Sequence, residues 1–482
     1  MSFILFPHQL FFLNNGPKMR IILVEDPVFF NPRFNKLKLI MHRASMKYYY
    51  DYLSGLGYQV EYIDYNQAKT DLTYSRYGNL LGFDPVDKEV MSRVKAQWYD
   101  TPNFISTRAD LIEYKQKNPE YFQTNFYTWM RKRHNILLEE NQKPIGGSWT
   151  YDTENRDPLP PGTHIPEYKF NYSSKRKTYL DEAINYIRQL FPSAPGPASV
   201  TSDTFYLPIT HDEANSAFDM FLEIRMNSFG PYEDAFRKPP NKNQPEILFH
   251  SYLSSALNIG LLLPMNLITK AEQMYYQNPK ILSSVEGYIR QVMGWREYSR
   301  YLYLFEPNLN EKNFLNNQNK LTPHWYPNGP KFGIDFVDDQ VELAWNTGFL
   351  HHILRLMVIG NFMNLMSIHP KEMYKWFMEF STDSYDWVMH FNVFSMISYA
   401  DGGLTTTKPY VASSNYIKKM SRYGRNDNFD GLYYYFLDRH QESLRPLGRM
   451  WQMYSVFDRY SSRDEKIELG KAYMKSITGS LA

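Results

Sequence analysis

The first sixty residues constrain the fold most. Two short apolar runs, 3–6 (FILF) and 21–25 (IILVE), are each bounded by polar or turn residues. Continuous apolar runs of that length read as strands buried on both faces of a parallel sheet. Residues 37–56 then place Leu39, Ile40, Arg43, Met46, Lys47, Tyr50 and Leu53 at helical spacing, and Gly55 and Gly57 end the helix. Residues 59–64 (QVEYID) alternate as a third strand. Strand, helix and strand in this order predict a right-handed βαβ crossover. Such a sheet holds ligands at the carboxyl ends of its strands, where His8, Gln9, Glu25 and Asp26 fall. No G-x-G-x-x-G is present here, so the dinucleotide fingerprint is absent.

The rest of the chain changes character twice. Residues 121–210 read as a connector: an aromatic and basic stretch, FQTNFYTWMRKR, a long loop rich in Gly, Pro, Asn and Asp, a helix over 181–190, and a Pro-rich break, FPSAPGPASV. From 211 to 482 the pattern is almost wholly helical, with helices expected over 212–229, 246–263, 285–303, 348–361 and 373–395. The predicted architecture is therefore an α/β, Rossmann-like domain over 1–120, a connector, and a large all-α domain over 211–482.

Two of these helices carry unusual polarity. GFLHHILRLMVIGN (348–361) is apolar except for two adjacent histidines and an arginine. His351 and Arg355 are four apart and share a face, while His352 points about 100° away. Polar groups on a core helix need partners, from the fold, a cofactor or a substrate. On EILFHSYLSSALNIGLLL (246–263), small hydroxyls including Ser251 and Ser254 either hold phosphates or let helices approach closely. Aromatic residues make up 17% of the chain, enough for core packing and for flat ligands as well. With no cysteine, disulfides, thiolate zinc sites, cysteine-held iron–sulfur clusters and cysteine nucleophiles are excluded. A net charge of +2 leaves nucleic-acid binding to a local basic face. No long uncharged apolar run suggests a membrane span. MSFILFPHQLFFL lacks the basic start and cleavage site of a signal peptide, so a cytoplasmic protein is expected.

Together these segments resemble the photolyase–cryptochrome superfamily. FHSYLSSALNIGLL is similar to the segment that cradles flavin phosphates, IRQVMGWREY to the R-Q-x-x-x-W-R-E helix, GFLHHILRLM to the segment beside the isoalloxazine, and DSYDWVMHFN to the D-W-x-x-x-x-N stretch near the flavin ring. FGPYEDA (229–235), SYADGGLTTTKPY (398–410), HRASMKYY (42–49) and WTYDTENRDPLP (149–160) narrow the resemblance to the photolyase-related, prokaryotic (6-4) photolyase-like group. That group normally carries a four-iron, four-sulfur cluster. This chain has no cysteine to ligate one, and Gly424 and Asp427 stand in the shortened loop where thiolates would be expected.

The resemblance implies FAD held in a U-shape by Tyr232, Ser251, Leu253, Ser254, Gln291, Trp295, Arg296 and Arg355, with Asp386, Asn392, Asp401 and Gly402 nearby and Met389, followed by His390, on the side of the flavin N5. It implies an antenna chromophore, 6,7-dimethyl-8-ribityllumazine, near His8, Gln9, Glu25, Asp26 and Met46. The substrate it implies is ultraviolet-damaged DNA, with the lesion flipped into the cavity and repaired by an electron from reduced FAD. The His351–His352 pair points to (6-4) lesions, whose repair needs a proton; His351 is the expected donor, His352 its partner, and Tyr410 and Tyr416 face the lesion. Trp376, Tyr385 and Trp387 are candidate electron relays. Lys408, Lys418, Lys419 and Arg422, with Arg425, are candidate phosphate contacts. A monomer is expected. The alternatives are a cryptochrome-type photoreceptor, a cyclobutane-dimer photolyase, or a flavin fold with a dark redox role.

Overall fold

The computed structural model describes residues 1–13 and 19–479. Five parallel strands form one sheet: β1 (Ser2–Leu5), β2 (Arg20–Val24), β3 (Val60–Ile63), β4 (Leu80–Phe83) and β5 (Ala96–Tyr99), in the order β3-β2-β1-β4-β5. The first crossover helix, α1 (Lys36–Gly55), lies within a residue of the span predicted from its apolar spacing. Asn35 caps it, its side chain accepting from the Leu37 amide, while its own amide group donates to the Trp345 carbonyl in the helical region. The last two strands were not foreseen. LLGF and AQWY are four residues each, and AQWY is nowhere fully buried, so neither carries a long apolar run.

The connector is more than a surface strap. Its helix, α2 (Arg176–Leu190), begins five residues before the predicted start and packs on α1, where Arg43 meets Glu182 at 2.5 Å. The helical region contributes α3 (Ser254–Asn258), α4 (Leu282–Ile289), α5 (Arg296–Phe305), α6 (Asp335–Thr347), α7 (Asn361–Leu365), α8 (Pro370–Phe380), α9 (Asp386–Phe391), α10 (Asp427–Arg439) and α11 (Arg463–Thr478), among others. Tyr385, Trp387 and Phe391 belong to the same apolar core as β1 and β2, so the sheet and the helices beside it are packed together.

Three predicted helices are corrected. Residues 246–263 are helical only over α3, because Leu248 and Tyr252 take positive φ (50° and 56°), which a helix cannot accommodate. Residues 348–361 are not one helix: Gly348 closes α6 at φ 64°, and the chain re-enters helix at His352. Residues 373–395 break at 381–385 between α8 and α9.

In the loop where thiolates were expected, Asp427 pairs with Lys466 of α11 at 2.5 Å, and the Tyr423 hydroxyl donates to Asp339 at 2.8 Å. Helices α10 and α11 cross where two glycines meet. A Cβ on Gly470 would lie 2.3 Å from the Gly431 carbonyl oxygen, a clash with backbone that no side-chain rotation relieves. Gly470→Ala should therefore lower stability by about 1–3 kcal/mol or more; an unchanged urea midpoint would show that the crossing can spread without loss.

Candidate functional site

Three helices of this region each carry one π-type stretch: Arg290–Trp295 between α4 and α5, Leu354–Gly360 before α7, and Asn392–Ile397 after α9. A π turn inserts a residue and re-aims the side chains that follow it, and such turns concentrate at functional sites. All three face one cavity. Gln291 and Trp295 come from the first stretch, Arg355 from the second, Asn392 and Met396 from the third. The walls are mostly apolar and aromatic, with Phe229, Tyr288, Phe349, Phe377 and Trp387 among them.

At the base, Arg355 meets Asp383 through two parallel bonds, Nη1–Oδ1 at 2.9 Å and Nη2–Oδ2 at 3.1 Å. Ser254 donates to Asp383 Oδ2 at 2.6 Å, Ser381 donates to Oδ1, and Asn258 donates to its backbone carbonyl at 2.9 Å. Burial alone would raise the Asp383 carboxyl; the Arg355 charge and these hydrogen bonds overcome it and hold the group below its ordinary value. Behind this pair the amine of Lys38 is buried over the rings of Phe34 (4.1 Å) and Tyr385 (4.8 Å) and donates to the Ser384 carbonyl. Burial lowers it to about 7, against the pull of Asp383.

The two histidines are unequal. His351 is buried, at 3% exposure, and neither ring nitrogen has a hydrogen-bond partner. It stacks on His250, centroids 4.6 Å apart and planes 17° off parallel. His250 itself faces two carbonyls, Ile247 at 3.0 Å and Glu233 at 3.1 Å. Carbonyls only accept, so the doubly protonated ring suits this geometry, while burial opposes the charge. His352 is exposed and lies on the cavity wall, edge-on to Trp295 at 6.3 Å. Its ring shares that wall with Trp295 and Arg355, whose atoms crowd it. Burial, then the charges of Arg355 and His250, lower His352 to about 4. His351 is pushed well below 6.5 by burial and by the neighbouring His250, His352 and Arg355.

Of the residues expected to hold a cofactor, Ser251, Leu253, Ser254 and Gln291 line this cavity, as do Trp295, Arg296, Arg355, Met389 and Asn392. Arg296 turns its guanidinium away, onto the carbonyl and side chain of Asn103 and onto Asn258. Four expected contacts lie off the walls. Tyr232 packs beside Phe249, with ring centroids 5.5 Å apart. Asp386 is taken by the hydroxyls of Tyr303 (2.5 Å) and Tyr374 (2.6 Å). Asp401 accepts from Ser395 and from the Gly403 amide, and Gly402 packs on Phe314. The aspartate at the site is Asp383, three residues upstream of Asp386. Asp386 opens α9 and faces the other side. Asp383, Glu233 and His250 were all missed, although Glu233 lies within FGPYEDA, beside Tyr232.

Trp387 lines the cavity with the Arg296 guanidinium 5.0 Å over its ring. Trp376 lies one layer back, beside Phe377, donating to the Trp325 carbonyl at 2.8 Å; the rings of Trp325 and Trp345 are 6.0 and 6.3 Å away. Tyr385 is in the interdomain core, its hydroxyl on His42 Nε2 at 2.8 Å. Tyr410 and Tyr416 both feel the charges of Asp234 and Arg156. Lys418, Lys419, Arg422 and Arg425 are exposed and Lys408 half-buried, and none forms an ion pair among the described residues.

The proposed antenna residues do come together at the strand ends, but they are already occupied. Glu25 accepts from Arg43 (2.7 Å), Tyr62 (2.6 Å), Tyr186 (2.7 Å) and the Tyr65 amide (2.9 Å). Asp26 accepts from Tyr74 and Arg93, both at 2.5 Å. Gln9 and His8 bond the carbonyls of Phe83 and Pro85, and Met46 is fully buried. The helical cavity differs. A flat dinucleotide suits its aromatic walls, its converging hydroxyl, amide and guanidinium groups, and the orphaned nitrogens of His351.

Two family models match the chain: a deoxyribodipyrimidine photo-lyase-related protein over residues 4–202, and the FAD binding domain of DNA photolyase over 288–479. A (6-4) photolyase of Agrobacterium fabrum is 31% identical over 464 residues, covering 89% of this chain and 88% of that protein. Two uncharacterized proteins of Acanthamoeba polyphaga mimivirus match shorter parts, 40% identical over 185 residues and 46% over 125. They span 33% and 25% of this chain, and 94% and 100% of their own lengths. Among solved structures, a bacterial class III photolyase from Agrobacterium tumefaciens superposes with a TM-score of 0.57 at 13% identity, covering 99% of this chain and 98% of that one. A Synechocystis cryptochrome gives 0.52 at 13% identity, covering 97% and 93%.

Proposed function

The chain belongs to the photolyase–cryptochrome family, and we propose that it is a light-driven DNA photolyase acting on (6-4) pyrimidine–pyrimidone photoproducts. The observation that carries the lesion assignment is the His351–His352 pair on the wall of the FAD-type cavity, with one ring open to whatever enters. The 31% identity to a protein named (6-4) photolyase supports the same assignment.

FAD, when bound and reduced, supplies the light-driven electron. The chain's own residues do the rest. Arg355, Ser254 and Asn392 line the cavity and would hold the cofactor's polar groups, and the aromatic walls would exclude water from it. Repair of a (6-4) product must also return a hydroxyl or amino group from one base to the other, and the proton this calls for needs a positioned acid. The family resemblance implied His351 as that acid. The burial of His351 argues instead for His352 as the ring that touches the base, with His351 behind it. His352 is neutral at pH 7 in the protein alone, and the negative charge of an entering lesion strand favours its protonation.

The test is a repair assay on oligonucleotides carrying (6-4) or cyclobutane lesions under blue light, together with an absorption spectrum. Repair of (6-4) lesions alone is expected. Flavin bands without repair of either lesion would favour a photoreceptor, and repair of cyclobutane dimers alone would reverse the lesion assignment. DNA contact through Lys418, Lys419 and Arg422 makes a separate prediction. Replacing all three by alanine should weaken binding to any sequence and flatten the dependence of log K on log salt by about 0.9 per lost phosphate contact. An unchanged slope would leave these residues as a solvated face.

A further inference from the structure

Glu233 sits on the cavity wall with every neighbour aimed at it as a donor. Its Oε1 accepts from the Gln291 side-chain amide at 2.5 Å. Its Oε2 accepts from the Asn155 amide at 3.2 Å and from the Arg290 guanidinium at 3.3 Å. Arg290 in turn leans on Asp152 and Glu286 (both 3.4 Å), and Asn155 is buried at 1% exposure. Burial and Asp234 raise the Glu233 carboxyl to about 7, with Arg290 and the two amides opposing. Arg290 carries only N–H groups and a permanent charge at its point of contact, so the ionised form of Glu233 is the one this guanidinium serves.

An ionised carboxylate can only accept. The orientation of a glutamine amide is ordinarily open to a flip; here it is settled by chemistry, because Gln291 must turn its NH2 toward Glu233. Its carbonyl oxygen is then left for the cavity that Gln291 lines, and no group among the described residues donates to it. On the same wall stand Trp295, a flat surface for a ring, and His352, the ring proposed to touch the base.

We propose that Glu233 is a positioning residue: by locking the Gln291 amide, it presents a fixed hydrogen-bond acceptor to the base entering the cavity and selects a pyrimidine edge that carries a ring N–H. This rests on the photolyase reading above. A freely rotating amide would offer a donor or an acceptor with similar ease and would discriminate poorly. A locked one rejects an edge with a lone pair at that point, because the two lone pairs repel and both polar groups lose their partners.

The test needs no light. Dark binding of a duplex carrying a (6-4) photoproduct and of the same duplex undamaged is measured at pH 8, where Glu233 is ionised, for three proteins: wild type, Glu233→Gln, and the swap Glu233→Gln with Gln291→Glu. Glu233→Gln frees the amide and should cut the preference for the photoproduct about tenfold. The swap should restore it to within about threefold, since a carboxylate at 291 accepts from the new amide at 233 with one oxygen and keeps the other toward the cavity. A Glu233→Gln variant with wild-type preference overturns the proposal. So does a swap that folds and holds flavin but stays as poor as the single variant, because a purely structural role would look that way. Wild-type protein with no preference for the photoproduct would overturn the photolyase reading as well, and is distinct from both outcomes.

Discussion

Asp383→Asn is expected to lower the stability of the protein by about 3–5 kcal/mol and to strip it of flavin, because it leaves Arg355 buried without its counter-charge. Both side chains are nearly enclosed, at 14% and 11% exposure, so solvent cannot replace the lost partner. The change also turns one of the two oxygens that accept from Ser254 and Ser381 into a donor, and it loosens three elements at once: the start of α3, the π stretch 354–360 and the loop between α8 and α9. The readouts are the urea midpoint and the flavin absorbance per protein in the purified sample. Wild-type values for both would show that the pair contributes little.

The same pair sets part of the acid response. The Asp383 carboxyl is held below its ordinary value, so its contribution is present above about pH 4 and is lost as pH falls through the lower folded value. His351 and His352 act in the same direction from higher pH. Both are neutral in the fold, while an unfolded chain takes up protons below about 6.5, so stability should decline from there toward pH 4. Asp383→Asn should remove the lower part of this decline and leave the histidine part in place.

His352→Ala is expected to slow (6-4) repair by about 10²–10⁴-fold, the usual worth of a positioned acid, with the flavin band intact. The ring is on the wall and exposed, so its loss leaves no core cavity. His351→Ala should behave differently. That ring is enclosed and stacked on His250, so truncation costs packing and should lower stability and flavin retention along with the rate. If His351→Ala abolished repair in a stable, flavin-loaded protein while His352→Ala repaired at the normal rate, the donor would be His351, as the family resemblance implies.

Several parts of this molecule were legible one segment at a time. Residues 3–6 and 21–25 announced buried strands because an unbroken apolar run has few other uses, and α1 was placed to within a residue by its apolar spacing and its glycine stop. β5 escaped because an edge strand of four residues, alternating half-buried and exposed, carries no run to detect. The helix expected over 246–263 failed because apolar composition says nothing about φ, and two residues there take left-handed backbone to turn the chain into the cavity wall.

At the site, residue types and order were readable: Ser254, Gln291, Trp295, Arg355 and Asn392 were named from short motifs and do share one cavity. Their orientation was not. Asp383 and Asp386 differ by three positions in one loop, yet only Asp383 meets Arg355, twenty-eight residues upstream, while Asp386 serves two tyrosines on the far side of α9. The π stretches were equally invisible, since one inserted residue leaves no periodic trace in a short window.

The sequence by itself determined a parallel α/β start, a helical remainder rich in flavin-type segments, and the absence of any thiolate ligand, because each depends on local pattern or simple composition. Only the tertiary structure decided which of two adjacent histidines is exposed and which of two aspartates neutralises the arginine. Those choices depend on one-residue changes in helical phase and on partners that the chain brings together from far apart.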